Sequence, residues 1–233
     1  MTVHHSPFTV HGYFVTGTDT GVGKTLIACA ILKAYGNRGL RAIGMKPVAA
    51  GAAEHDGRLV NDDVIALKAA SNVTAEDDLV NPYCFAPAIA PHVAAVEAGV
   101  TIEVECIRSA YLALAAGADR VIVEGAGGFR VPLGSRTDTA QLAAALGLPV
   151  VLVVGMRLGC LNHALLTAEA VRASGLVLAG WVANHIDPSM SHAAENVAAL
   201  EERLCAPLIA RVAYSEKPNA SRVGALLRAE LLQ

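Results

Sequence analysis

Short apolar runs alternate along the chain with longer stretches of helical periodicity, and glycine, proline or a charged residue marks most changes of rhythm. Residues 13–16 read as a short strand that ends in glycine, and 24–35 as a helix halted by Gly36, Asn37 and Gly39. A second strand is expected over 41–46, short helices over 62–70 and 93–98, and a longer helix over 101–116. Residues 120–124 form a buried-type strand that ends in a carboxylate, followed by a helix over 137–146. Residues 149–154 have almost no polar atom, as suits the centre of a parallel sheet. Helix 161–173, strand 177–183, helix 190–204, strand 208–212 and a final helix 221–231 complete the alternation.

Strand followed by helix, repeated, implies right-handed crossovers and a parallel sheet covered on both faces: an α/β fold of three layers. The pattern shows no linker or repeat, so residues 1–233 read as one domain with a loose tail at 1–11. Residues 49–61, rich in Gly, Ala and charge, read as a mobile loop. Such a sheet binds ligands at the carboxyl ends of its strands, where the loop after Thr16, Lys46, Glu124 and Asn184 all fall.

Composition narrows the classes. Hydrophobic residues make up 54% and charged residues 17%, with alanine the main excess, which fits a densely packed core. The longest uncharged apolar stretch, 142–156, is broken by Gly147, Pro149 and Gly155 and falls short of the roughly 20 residues of a spanning helix, so no membrane partner is expected. A net charge of −3, scattered along the chain, gives no basic cluster for nucleic acid. The five cysteines are widely spaced without a CxxC, pointing to reduced thiols and a cytoplasmic protein. The histidines lack the short helical pairing of metal ligands and read as structural or surface groups.

The strongest chemical signal is Gly17-Thr18-Asp19-Thr20-Gly21-Val22-Gly23-Lys24-Thr25, set between the first strand and the first helix. Glycines let successive N–H groups curl toward phosphate oxygens, and the helix start adds its positive end. Lys24 supplies a point charge, and the Thr25 hydroxyl is placed for Mg²⁺. This makes the fold class a P-loop NTPase-type parallel sheet. The strict motif would have its first glycine where Thr18 stands. Lys46 closes the second strand and points to the same crevice. Asp62 and Asp63 open a helix, where metal ligation and simple capping are both open. Glu124, followed by Gly125-Ala126-Gly127-Gly128, matches the acidic residue that helps hold Mg²⁺ in phosphate-loop enzymes. Asn184 has the donor and acceptor edges to read a purine, or is an ordinary strand end.

Taken in order, these segments resemble the dethiobiotin synthetase family. The shifted glycine at 17–25 is that family's form of the loop. Lys46-Pro47-Val48, Asn61-Asp62-Asp63, Asn81-Pro82-Tyr83, Ala90-Pro91-His92, Glu124-Gly125-Ala126-Gly127-Gly128, Gly159-Cys160-Leu161-Asn162-His163 and Gly180-Trp181-Val182-Ala183-Asn184 follow in sequence. The resemblance implies a homodimeric, ATP-dependent cyclo-ligase acting on 7,8-diaminononanoate and CO₂, with Mg²⁺. It implies catalytic roles for Lys24, Lys46 and Thr20, and metal ligation by Thr25, Asp63 and Glu124. ATP contacts would come from Gly21, Val22, Gly23, Lys24, Thr25, Leu26, Asp63, Glu124, Gly125, Ala126, Gly127, Asn184, His185, Ala213 and Tyr214. Substrate would meet Lys46 and Ala50, with Gly159, Cys160 and Asn162 reaching it from the partner subunit.

The chain departs from many relatives at Ala50, where Ser or Thr is common, at Gly21, where some carry Glu, and at Ala213, where some carry Pro. Two other readings compete. Amide ligases of the cobyrinate or cobyrate type share the loop but usually add a glutaminase domain. Partitioning or switch ATPases usually place a second lysine near the loop's start, where this chain has Thr18 and Asp19.

Overall fold

A computed structural model describes residues 12–228. The expected tail at 1–11, with His4, His5 and His11, and the last turn of the helix expected over 221–231 lie outside the described residues.

The elements run β1 (Gly12–Gly17), α1 (Lys24–Asn37), β2 (Ala42–Met45), β3 (Val48–Ala50), β4 (Ala53–His55), β5 (Arg58–Val60), α2 (Asp62–Ala70), α3 (Asp77–Val80), β6 (Tyr83–Phe85), α4 (Pro91–Glu97), α5 (Val104–Gly117), β7 (Arg120–Glu124), α6 (Thr139–Leu146), β8 (Val150–Met156), α7 (Cys160–Ala173), β9 (Leu178–His185), α8 (Ala193–Arg203), β10 (Leu208–Val212) and α9 (Ala220–Leu226). Six strands form one parallel sheet in the order β10-β9-β8-β1-β7-β2. The sheet has an apolar core on each face. One, around Ile27, Ile31, Ile122 and Val153, lies under α1, α2 and α9. The other, around Phe14, Leu142, Leu152 and Trp181, lies under α5, α6, α7 and α8. The chain order reverses between β1 and its neighbours β7 and β8, which opens the crevice at the carboxyl end of β1.

Several boundaries differ from the sequence expectation for identifiable reasons. The helix expected from 137 starts at Thr139, because Asp138 and Gln141 close a reciprocal capping box. The helix expected over 190–204 starts at Ala193. Asp187 first draws the backbone N–H and hydroxyl of Ser189 into a turn, and His192 adopts φ 54°. Residues 49–61 are not one loop. They finish β3, which pairs with β6, and then form the exposed β4–β5 hairpin about Asp56 and Gly57.

The close approach of α9 to α1 depends on Gly224. A Cβ there would meet the Ala30 carbonyl oxygen at 2.8 Å, inside the contact distance of real side chains. Gly224→Ala should therefore lower stability by about 1–3 kcal/mol, read as a lower midpoint in urea unfolding.

Candidate active site

The phosphate loop is wound by two glycines with positive φ, Gly21 (74°) and Gly23 (90°). A side chain at Gly23 would be strained there and would also meet the Asn184 amide nitrogen at 2.3 Å. Thr18, which displaces the usual glycine, anchors the loop instead. Its N–H donates to the Val153 carbonyl (3.0 Å), and its hydroxyl accepts from Gly155 N–H (3.3 Å). Asp19 accepts from Thr20 N–H (2.7 Å) and pairs with Arg157 at the end of β8 (2.5 Å). The sequence marked Asp19 as part of the loop but gave no sign of its pairing with Arg157, which spans 138 positions.

Lys24 is buried and donates to the Asp19 carbonyl at 2.9 Å. Burial, and then the nearby Lys46 charge, pull its pKa down to about 8. Behind it lies a compact polar cluster drawn from four elements. Lys46 at the end of β2 lies 2.7 Å from Asp63 Oδ2 and 2.7 Å from Glu124 Oε1. The Thr25 hydroxyl lies 2.7 Å from Asp63 Oδ1 and 2.9 Å from Glu124 Oε1, so its single proton serves one carboxylate at a time. Lys46 and Glu124 are almost wholly buried, whereas the Asp63 side chain is 40% exposed. Burial works against the Lys46 charge, but the Glu124 and Asp63 carboxylates outweigh it and its pKa rises. Burial raises the Glu124 pKa, with Lys46 opposing it only in part. Asp63 is held below its ordinary value, because Lys46 overrides the effect of its own burial. Glu124 Oε2 is buried without a hydrogen-bond partner.

A cleft of about 760 Å³ opens over this cluster. Of the sequence-derived candidates, Thr20, Gly21, Gly23, Lys24, Thr25, Lys46, Ala50, Asp63, Glu124, Ala126 and Gly127 all line it. Its opposite wall is apolar, made by Val48, Val131 and the 88–91 segment leading into α4. Of that wall, the sequence had marked Val48, in Lys46-Pro47-Val48, and Ala90-Pro91-His92, but not Val131. Gly125 sits just behind, its carbonyl 3.4 Å from the Lys46 ammonium. Val22 is buried and Leu26 packs partly into the core, so their side chains face away from the cleft.

His185, Ala213 and Tyr214 line a separate shallow cavity of about 280 Å³ with Asp187, Pro188 and Met190. Asn184 joins the two regions. It is buried, and its amide donates to the Val22 carbonyl at 2.8 Å. It therefore braces the phosphate loop.

Gly159, Cys160 and Asn162 stand at the start of α7, outside the cleft of their own chain. The Cys160 side chain is turned inward. Its thiol is 2% exposed and packs in the core, where burial raises its pKa, and its N–H is taken by the Arg157 carbonyl at 3.0 Å. Gly159 and Asn162 are exposed. Among the described residues, no helix is long and apolar enough to cross a membrane.

Residues 11–222 match the family described as AAA domain. ATP-dependent dethiobiotin synthetase BioD of Aromatoleum aromaticum is 55% identical over 216 residues, covering 93% of this chain and 96% of that protein. The protein of the same name from Nitrosospira multiformis is also 55% identical, covering 93% and 94%. That from Xylella fastidiosa is 52% identical, covering 84% and 86%. Among solved structures, a ParA family ATPase from Chlorobium tepidum superposes with a TM-score of 0.54 at 15% identity, covering 89% of this chain and 86% of that one. A MinC:MinD cell division protein complex from Aquifex aeolicus gives 0.51 at 14% identity, covering 92% and 86%. These two likenesses extend to the fold alone.

Proposed function

The chain belongs to the dethiobiotin synthetase family, and from that premise we propose that its cleft closes the ureido ring of dethiobiotin from 7,8-diaminononanoate, CO₂ and ATP, a step of biotin biosynthesis. The observation that carries the residue roles is the cluster of Thr25, Asp63, Lys46 and Glu124 facing the phosphate loop across one cleft.

One amine of the substrate adds to CO₂ and loses a proton, giving a carbamate. A carbamate oxygen attacks the γ-phosphorus and ADP leaves, giving a carbamic–phosphoric anhydride. The second amine attacks the anhydride carbonyl, closes the ring and expels phosphate. The chain's task is positioning and charge neutralisation rather than covalent help. The loop amides from Thr20 to Thr25 and the Lys24 ammonium cradle the phosphates. Lys46, held at the cleft floor by its two carboxylates, meets the carbamate and the γ-phosphoryl oxygens. Thr20 lies beside them at the loop's turn. The apolar wall of Val48, Val131 and Ile89 takes the aliphatic chain.

The donor set suits Mg²⁺. A hydroxyl and two carboxylates are hard oxygen ligands, and Glu124 Oε2 is a buried acceptor without a partner. Thr25, Asp63 and Glu124 would hold the ion, which would supply charge neutralisation at the triphosphate. The adenine falls to the cavity of His185, Ala213 and Tyr214, with the Asn184 oxygen as acceptor. The protein acts as a cytoplasmic homodimer of single-domain chains. Gly159 and Asn162, exposed and outside the lining of their own cleft, serve the substrate tail in a second copy.

The deciding experiment measures phosphate release with MgATP, bicarbonate and the diamine. All three must be present for turnover, and release without the diamine, or none with it, would overturn the assignment. A pH prediction follows from Lys24. Its ammonium is half neutral near pH 8 in the free protein, and phosphate favours the charged form. ATP binding should therefore take up a proton above pH 8, and affinity should fall as pH rises through that value. Calorimetry in buffers of different ionisation enthalpy reads the proton directly.

A further inference from the structure

We infer that Asn61 is a positioning residue that clamps the substrate wall at Ala50 to the metal-ligand carboxylate Asp63. The inference rests on the roles assigned above to those two residues. Asn61 is 7% exposed, and each end of its amide is engaged. The amide oxygen accepts from Asp63 N–H at 3.0 Å, capping α2 and fixing the backbone that carries the Asp63 carboxylate. The amide nitrogen reaches the Ala50 carbonyl at 3.3 Å and the Gly51 carbonyl at 3.5 Å.

These contacts close the base of an excursion. Between Gly51 and Asn61 the chain runs out through the exposed β4–β5 hairpin, whose Leu59 touches Cys84 of β6 but whose residues line none of the cleft. Beyond its pairing with β6, the end of β3 is tied by two backbone bonds, Gly51 N–H to the Pro87 carbonyl and Ala52 N–H to the Phe85 carbonyl, both at 3.0 Å, and the clamp adds the tie to α2. The clamp matters here because Ala50 offers the cleft only a methyl group. A wall without a side-chain hydrogen bond to substrate is placed by its main chain alone, and Asn61 holds that main chain in register with Asp63. A lone N-cap would account for the amide oxygen but not for the nitrogen's span to Ala50 and Gly51.

Two variants separate the two ends of the amide. Asn61→Ser keeps an oxygen that can cap Asp63 but cannot reach the two carbonyls, whereas Asn61→Ala loses both functions. In Asn61→Ser the KM for the diamine should rise about fivefold to tenfold, the worth of one or two lost hydrogen bonds, with the Kd for MgATP within about twofold of the parent. In Asn61→Ala both constants should rise. A readout independent of turnover is hydrogen exchange. In Asn61→Ser the Gly51 and Ala52 amides should exchange faster while the amides of α2 stay protected. The proposal is overturned if Asn61→Ser leaves the diamine KM and the exchange of Gly51 and Ala52 unchanged, or if MgATP affinity falls equally in both variants. Absence of turnover in the parent protein would instead sink the functional assignment, with the exchange pattern still deciding the clamp.

Discussion

Lys46→Met is expected to lose turnover and fold stability together. Turnover should fall by at least about 10²–10³-fold, because the buried, preorganised cation proposed to face the transferred phosphoryl group disappears. Stability should fall as well, because Lys46 is the shared counter-ion of Glu124 and Asp63, 2.7 Å from each. Removing one partner of a buried pair costs about 3–5 kcal/mol. The Glu124 contact dominates that loss, since the Asp63 side chain is 40% exposed and solvent screens its share. The sign of the pH dependence follows from Glu124. Without Lys46, burial and then the Asp63 charge would raise its folded pKa further above the ordinary 4.5, opposed only by the Thr25 hydroxyl. A carboxylate raised in the folded state favours folding below its unfolded pKa, and that benefit is lost as pH rises through the folded value. The variant's deficit should therefore be smaller at pH 5 than at pH 8. Mg²⁺ should restore part of the stability by replacing the missing positive charge, without restoring turnover. Urea unfolding at the two pH values, with and without Mg²⁺, tests each statement. A variant as stable as the parent at pH 8 would show that the cluster tolerates an unpaired Glu124.

Lys46 also shows which features the sequence made legible. Its place at a strand end beside a phosphate loop pointed to the ligand crevice, because strand–helix alternation already told which ends of the strands would face ligand, while its catalytic role came from the family resemblance. The parallel sheet was readable for the same reason: β7 and β8 are short, apolar and bounded by turn residues. The counter-ion role was not readable. Lys46 lies 17 positions from Asp63 and 78 from Glu124, and only the folded sheet brings them within hydrogen-bonding distance. The order of the strands was hidden likewise, since each strand is apolar on both faces and local pattern does not choose its neighbours. The β4–β5 hairpin was missed because its residues are almost all exposed, so no alternation marks them. Its one signal was the Asp56-Gly57 turn. At the start of α7 local pattern did not tell which side chains turn inward: the Cys160 thiol lies in the core, while Gly159 and Asn162 are exposed.

Glu124→Gln should separate chemistry from folding where Lys46→Met joins them. The side chains are nearly isosteric, and glutamine removes a buried charge whose pKa burial already raises. Lys46 keeps Asp63 as its partner, and the amide oxygen can still accept from the ammonium or the Thr25 hydroxyl. Stability should therefore stay within about 1 kcal/mol of the parent, as for a volume-conserving change that leaves no unpaired charge. Activity should not survive. The second carboxylate of the proposed Mg²⁺ set is gone, and turnover should fall on the order of 10²–10³-fold with a higher Mg²⁺ requirement. The double variant then decides between two accounts of the Lys46 effect. If Lys46→Met destabilises the protein by stranding the Glu124 charge, adding Glu124→Gln should recover most of the lost stability, because the charge that needed a partner is absent. If the loss comes instead from packing of the lysine stem, the two changes should add. Unfolding midpoints of the parent, the two single variants and the double variant, taken at pH 8 without Mg²⁺, give the coupling. A coupling near zero would mean that the Lys46–Glu124 contact is there for phosphoryl transfer alone and contributes nothing to holding the fold together.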